Sequence, residues 1–409
     1  MSLTQKVVPE VEAEAPAAAA PVYPEAVAVT SLPKQHYFGY NDNCPWDPSG
    51  RYLLALECPV IHRPPRVRDG VDIGIIDLEN GNTFKKIGRS RAWNWQQGCR
   101  LQWLPGREGE IIYNDRRRRK LLSVIQNVET GKERTLPMPI YAVSHDGRTA
   151  LTFNFARLHR LRPSCGYIGV TDPTETENAP DRDGVFRLDL ETGEAELIIS
   201  LGRLWELSHR ASMEGRQHWV NHLQFNPDDS RFSFIHRWQR DRRGWWSRLF
   251  TSNLEGEELR LLINDDMVSH SDWLDPGNLL AWARMPGTGD RFYVFIDQTD
   301  KKASIDPEKL PVDGHCRYSP DRRWILTDTY PDAAGRRFLL LYNVEDDETQ
   351  VLGEFASSRA MQGAIRCDLH PRWNRDGTQI CIDSSHEGTR QMYVIDVADI
   401  VATAEPEEE

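Results

Sequence analysis

Four histidines share one register. His222, His270, His315 and His370 each lie three residues before an aromatic residue that opens a turn: Phe225, Trp273, Tyr318 and Trp373. Three earlier segments carry the same pattern, with Asn43, Arg100 and Ile140 at that place. Neutral imidazole is a proton acceptor near pH 7 and the commonest transition-metal ligand. The competing reading is a structural imidazole bonded to a neighbouring repeat. Its absence from the first three repeats counts against that, because a device of the repeat should recur everywhere. A second column follows in the loop after the next strand: His236, Arg284, Asp328, Tyr330 and Asp383. Asp368 precedes His370 by two residues, so in extended backbone both point to one side. Three His and a carboxylate suit Mn, Fe or Zn; a metal-free catalytic or binding pocket is the alternative.

The earlier repeats add Tyr40, Asp42 and Asn43, then Gln97 and Arg100, to the same face. Arg116 to Lys120 are five consecutive cations, a solvated loop by default and a rim for an anionic ligand if they border the site. Other chemistries lack their motifs. His386-Glu387 is followed by Gly388 and does not form a metalloprotease helix. Ser212, Cys316 and Cys367 have no nucleophile-elbow context, and neither a P-loop nor a dinucleotide fingerprint occurs.

The elements that must position these columns are hairpins. Trp46 precedes D-P-S-G-R-Y-L-L-A-L, Trp103 precedes L-P-G-R-E-G-E-I-I-Y, and Tyr318 precedes S-P-D-R-R-W-I-L-T. Val143, Phe225, Trp273 and Trp373 open similar segments. Each is a strand, a turn rich in Pro, Asp and Gly, and a second strand. A second hairpin follows most of them, as in Val71–Leu78 through E-N-G-N. Seven units of four strands predict an all-β fold, a seven-bladed β-propeller of four-stranded antiparallel blades. The apolar period of two excludes a helical solenoid. Spacings of about 40 to 57 residues are broken by one of 82, between 140 and 222. The excess is read as insertions at 156–184 and 202–218, inside a propeller spanning 21–400. The last unit ends at its third strand, near Val397, so a strand around Val22–Val29 is expected to close the ring and remove the free edge. Residues 1–20 read as an acidic Ala/Pro tail and 401–409 as an acidic tail, both disordered.

The 409 residues carry a net charge of −12, which argues against nucleic acid as the main partner. Residues 1–30 hold −3 of this and 401–409 hold −4, leaving −5 on the body. There is no apolar run long enough to cross a membrane as a helix. Seven scattered Cys without a C-x-x-C pair argue against a disulfide framework or zinc ribbon. The first residues lack the layout of a signal peptide. A cytoplasmic protein is expected.

The S-P-D-x-R hairpins, as in Ser319-Pro320-Asp321, resemble the WD-like repeats of Tol-type propellers. The mouth histidines, with Asp368-Leu369-His370-Pro371 in the last unit, resemble the oligogalacturonate lyase family and its ulvan-lyase-like relatives. That resemblance implies a polysaccharide lyase with a divalent metal, Mn first and Zn or Fe otherwise. Its His-x-His pair corresponds to Asp368 and His370 here, so one ligand differs, and His315 matches the His of the preceding blade. Gln362 is the nearest match to the family's Gln ligand.

The implied chemistry is β-elimination from an anionic, uronate-containing oligosaccharide. A cation holds the carboxylate, a base takes the C5 proton, and an acid protonates the leaving oxygen at C4. His236 or His270 is the expected base, Arg284 or Arg100 the clamp, and Tyr330 an acid. Asn43, Asp42, Gln97, His222 and Asp328 are expected to bind substrate, and His315, Asp368 and His370 to bind metal. The competing class is a non-catalytic propeller that binds or scaffolds other proteins, which this fold hosts equally well.

Overall fold

A computed structural model describes residues 21–59, 62–241 and 244–402. It contains seven four-stranded antiparallel sheets, arranged as the blades of a propeller. Blade one opens with Gln35–Tyr37, blade two with Gln102–Trp103 and blade three with Ala142–Val143. Blades four to seven open with His218–Phe225, Val268–Asp275, Arg317–Tyr318 and Arg372–Trp373.

The turn residues of the repeat make these hairpins by local hydrogen bonds. Ser144 Oγ donates to Asp146 at 2.6 Å, and Asp321 accepts in the same way from Ser319 Oγ. Such side-chain turns compete with the helix and fix a tight reversal. The aromatic residue of the repeat joins neighbouring blades. Trp103 Nε1 donates to Pro45 O at 2.9 Å, and Trp273 Nε1 to Gln224 O at 3.3 Å, each reaching the residue just before the aromatic residue of the previous blade. Apolar side chains fill the space between blades: Leu54, Ile73 and Trp46 are fully buried, as are Phe234, Phe250 and Ile395.

The ring closes through Ala26–Ala28, which pairs antiparallel with Gln391–Asp396 (Ala26 opposite Ile395, Ala28 opposite Tyr393). The strand is shorter than 22–29. Pro24 has no N–H to give the ladder, so pairing begins after it. Val401 is not tail but the end of a short helix, Ala398–Val401, that packs with Ile400 on the blade-six and blade-seven core. The tails otherwise lie outside the described residues.

The long interval contains two short helices. Phe155–Leu161 is capped by Asn154, whose side chain accepts from Ala156 N and Arg157 N; Leu201–Glu206 is capped by Ser200. Buried Arg157 ties the first insertion to blade four, donating to the carbonyls of Thr174, Glu177, Asn178 and His218. No helix among the described residues is long and apolar enough to cross a membrane.

Candidate functional site

The histidine column converges on one ring. Tyr40 has its ring centroid 5.3 Å from His222, 5.5 Å from His315 and 5.1 Å from His370, so one side chain from blade one touches blades four, six and seven. His315 lies 4.3 Å from both His270 and His370. Tyr40 is in place because Gly39–Asp42 is pinned at three points. Arg372, paired with Asp383 at 2.8 Å, donates to Gly39 O at 2.7 Å. Asn41 Nδ2 reaches Cys316 O at 3.2 Å, and Arg100 grips Asp42 through two bonds of 2.9 and 2.8 Å. Gly39 has φ +136°, and a Cβ there would lie 3.0 Å from Gln97 C, so only glycine turns the strand across the channel.

The inner strands aim the histidines by local irregularity. The ladder of blade four shifts register between Asn221 and Gln224, and that of blade five between Val268 and Ser271, enclosing His222 and His270. Such bulges re-aim a side chain. His222 and His370 have left-handed φ of 53° and 43°, as does Arg100 in the same column. Non-glycine residues in this region store strain that the surrounding contacts must hold, commonly at functional sites.

Carboxylates then set the imidazoles. Asp328 accepts from His315 N and His315 Nδ1, both at 2.8 Å, and from His370 N at 3.1 Å. Burial alone would raise the Asp328 carboxyl; the His315 charge and hydrogen bonds prevail and hold it at about 2. His315 therefore carries its proton on Nδ1 and turns Nε2 away from Asp328. Asp313 does the same for His270, accepting at Nδ1 over 2.9 Å. Burial pushes His270 below its ordinary value, with Asp313 pulling the other way, so the ring is neutral at pH 7. His370 is pushed well below its ordinary value by burial and then by His315, and its buried Nε2 has no hydrogen-bond partner and lies 4.0 Å from Asp368 Oδ2.

Asp368 is fully buried between Arg366 Nε at 2.6 Å and Arg337 Nη1 at 2.7 Å. Its carboxylate, His315 and His370 offer ligand atoms within 4.8 Å of one another. Two imidazoles and a carboxylate at this spacing fit a divalent ion of the Mn or Zn kind after small side-chain adjustments. The orphaned His370 Nε2 is the observation that favours a ligand here.

A cavity of about 330 Å³ opens on this cluster, bordered by Tyr40, His222, His270, His315, Tyr330 and Arg366. Its far wall comes from the first insertion and from Trp245, and includes Arg162. Arg162 and Arg237 sit 4.9 and 5.4 Å from the Trp245 ring. The amide oxygen of Asn221, turned toward them, accepts from Arg237 Nη1, Arg162 Nη1 and His222 Nε2 at 3.0 to 3.1 Å. Among the described residues neither arginine has a carboxylate within ion-pair distance, and the buried Arg237 Nε has no partner at all. Burial, then Arg162, pulls the Arg237 guanidinium down to about 9. Arg162 borders the cavity and Arg237 lies buried behind it on the same Asn221 amide and Trp245 ring, so this wall carries uncompensated positive charge that suits an anion.

Several residues singled out from the sequence sit elsewhere. His236 is buried inside blade four, with Nε2 2.9 Å from His218 Nδ1 and Nδ1 accepting from Arg248 Nε at 3.1 Å. Neither nitrogen is left for a substrate. Arg284 is half-exposed on its hairpin and paired with Asp290. Arg100 is spent on Asp42 and on Tyr141 O. Gln97 turns inward to Tyr141 Oη, while its neighbour Gln96 borders the cavity and bonds Arg366 O at 2.8 Å. Asp42 and Asp328 face protein donors rather than the cavity. His222 accepts from Tyr141 Oη and donates to Asn221, so it positions the wall. Asn43 is half-buried beside the pinned segment. Arg116–Lys120 is a hairpin: Arg117 pairs with Asp115 and Glu133, and the turn is Arg118-Arg119. His270, His315, His370, Asp368 and Tyr330 do come together. Sequence reasoning missed Arg237 and Arg162. Strand alternation offered a signal for the first, because residues adjacent to a buried His236 face the opposite way. The second lies in an insertion that no repeat alignment reaches.

No family model and no curated protein sequence matches the chain. Solved structures do. An oligogalacturonate lyase from Vibrio parahaemolyticus superposes with a TM-score of 0.65 at 15% identity, over 93% of this chain and 95% of that one. An oligogalacturonate lyase in complex with manganese gives 0.66 at 17% identity, over 91% and 93%. The tricorn protease gives 0.51 at 13%, over 93% of this chain and 36% of that one. At these identities the likeness shows the shared propeller fold.

Proposed function

We propose that this propeller is a lyase that cleaves uronate-containing oligosaccharides by β-elimination in the Tyr40–histidine cavity. One observation carries the reading: the cavity is bordered both by His270, neutral and held by Asp313, and by Arg162, a guanidinium with no carboxylate partner among the described residues. That juxtaposition is what removal of a proton beside a carboxylate requires, and the propeller fold is one shared with solved oligogalacturonate lyases. Arg162 holds the C6 carboxylate, with Arg237 behind it adding positive charge, and the charge that develops on the carboxylate in the transition state strengthens that hold. His270 Nε2 takes the C5 proton, because Asp313 fixes the tautomer that leaves Nε2 unprotonated. The C4–O bond breaks as the C4–C5 double bond forms. The Tyr330 hydroxyl protonates the departing oxygen. His315, His370 and Asp368 would hold a divalent ion, which when bound supplies further positive charge toward the carboxylate.

The test is turnover of acidic oligosaccharides followed by ultraviolet absorbance of the unsaturated uronate. Product formation by wild type and its loss in His270→Ala support the reading. Metal-free protein that makes no such product from pectic, ulvan-type or glycosaminoglycan oligomers favours the non-catalytic binding propeller.

A further inference from the structure

A second cavity adjoins the first. It measures about 240 Å³ and shares Pro163, Ser164 and Ala364 with the histidine cavity. Its chemistry is different. Trp93 and Trp95, 5.2 Å apart and nearly perpendicular, form the floor, with Pro64, Pro65 and Ile168 around them. No Lys, Arg, Asp or Glu borders it. Its polar groups are mostly committed: Trp95 Nε1 donates to Arg63 O at 2.9 Å, and Asn94 Oδ1 accepts from Gln96 N and Gln97 N. One is not: Trp93 is 2% exposed and its indole N–H has no partner.

We infer that this aromatic cavity is a subsite for an uncharged pyranose joined to the uronate, and that the substrate class is a mixed oligosaccharide of uronate and neutral sugar rather than a run of uronates. The inference rests on the lyase reading of the adjoining cavity. The physical reason is a contrast of charge. A carboxylate placed in the second cavity would be desolvated with no cation to meet it, an expensive burial. A neutral ring lays its C–H face on the indoles and offers an oxygen to the Trp93 N–H. The shared wall at Pro163, Ser164 and Ala364 sets the two cavities side by side, as two linked rings require. Both volumes are of the order of small-ligand sites.

The test compares a uronate–deoxyhexose disaccharide, a diuronate and the free uronate in wild type, Ile168→Trp and Trp93→Phe. Ile168 is half-buried and borders only the second cavity, so the larger ring fills it. Wild type should bind the mixed disaccharide about tenfold more tightly than the free uronate, the effect of covering one apolar sugar face. Ile168→Trp should erase that gain and leave free-uronate binding unchanged; Trp93→Phe should reduce it. Calorimetric binding is read beside turnover, so the two claims separate. The gain and its loss in Ile168→Trp without product formation would overturn the lyase and keep the subsite. Equal affinity for the mixed disaccharide in wild type and Ile168→Trp, or tighter binding of the diuronate, would overturn the subsite.

Discussion

Replacing Arg237 with methionine should make the protein more stable and weaken its hold on a uronate. The guanidinium is 2% exposed, faces no carboxylate, and has an unpartnered Nε. Its fall from 12.5 to about 9 corresponds, at about 1.4 kcal/mol per pH unit, to an upper bound of about 5 kcal/mol charged to the folded state for keeping this cation buried. The sign follows from linkage: a base whose folded value is lowered destabilises the fold wherever it is protonated, and arginine is protonated throughout the working range. Asn221 and the Trp245 face return part of this, the latter about 1–2 kcal/mol. Methionine keeps the stem and removes the charge, so a net gain of about 1–3 kcal/mol is expected. For a chain of this length that raises Tm by about 1–4 °C. Calorimetric scans with and without galacturonate read both effects. Wild type should rise on adding the ligand, and Arg237→Met should start higher and respond less. A variant less stable than wild type that still responds fully to galacturonate would refute the reasoning, because Arg237 would then be a structural cation.

Other outcomes follow from the same geometry. His270→Ala should lower kcat/KM by about 10²–10⁴-fold while the fold survives, since general-base removal has that scale. With His270 held below its ordinary 6.5, the acid limb of the wild-type kcat/KM profile should be centred below about pH 6.5, where the ring protonates; an acid limb centred above that value would contradict this. His236→Phe leaves Arg248 and His218 without their partner, so urea titration should show a loss of about 2–4 kcal/mol, with turnover per folded molecule unchanged. His315→Ala and His370→Ala should each lower bound manganese or zinc, measured by elemental analysis after dialysis, whereas His236→Phe should not.

The repeat was legible in the sequence because the same turn chemistry recurs with a fixed partner. Ser144–Asp146 and Ser319–Asp321 close equivalent turns, and Trp103 and Trp273 make equivalent bonds to the previous blade. Column alignment also placed His270, His315 and His370 together, because equivalent starts of inner strands must ring one channel. It failed where function depends on which way a strand residue faces. His236 was favoured over its neighbour Arg237, which alternation turns to the opposite side, and Gln97 over Gln96, which share a turn where no alternation applies. The partners Asp313 and Arg162 lie outside the repeated hairpins, and Tyr40 reaches the centre only through the pinning of Gly39–Asp42 from blades two, six and seven. Such long-range contacts leave no mark in local pattern.

The most direct measurement is the appearance of a 4,5-unsaturated uronate when purified protein meets a uronate-containing oligosaccharide with manganese present. The account predicts an ultraviolet-absorbing product from wild type, none from His270→Ala and less from Arg237→Met, both still folded. Product formation undiminished in folded His270→Ala or Arg237→Met would contradict it, as would the absence of product from wild type with every acidic oligosaccharide tried.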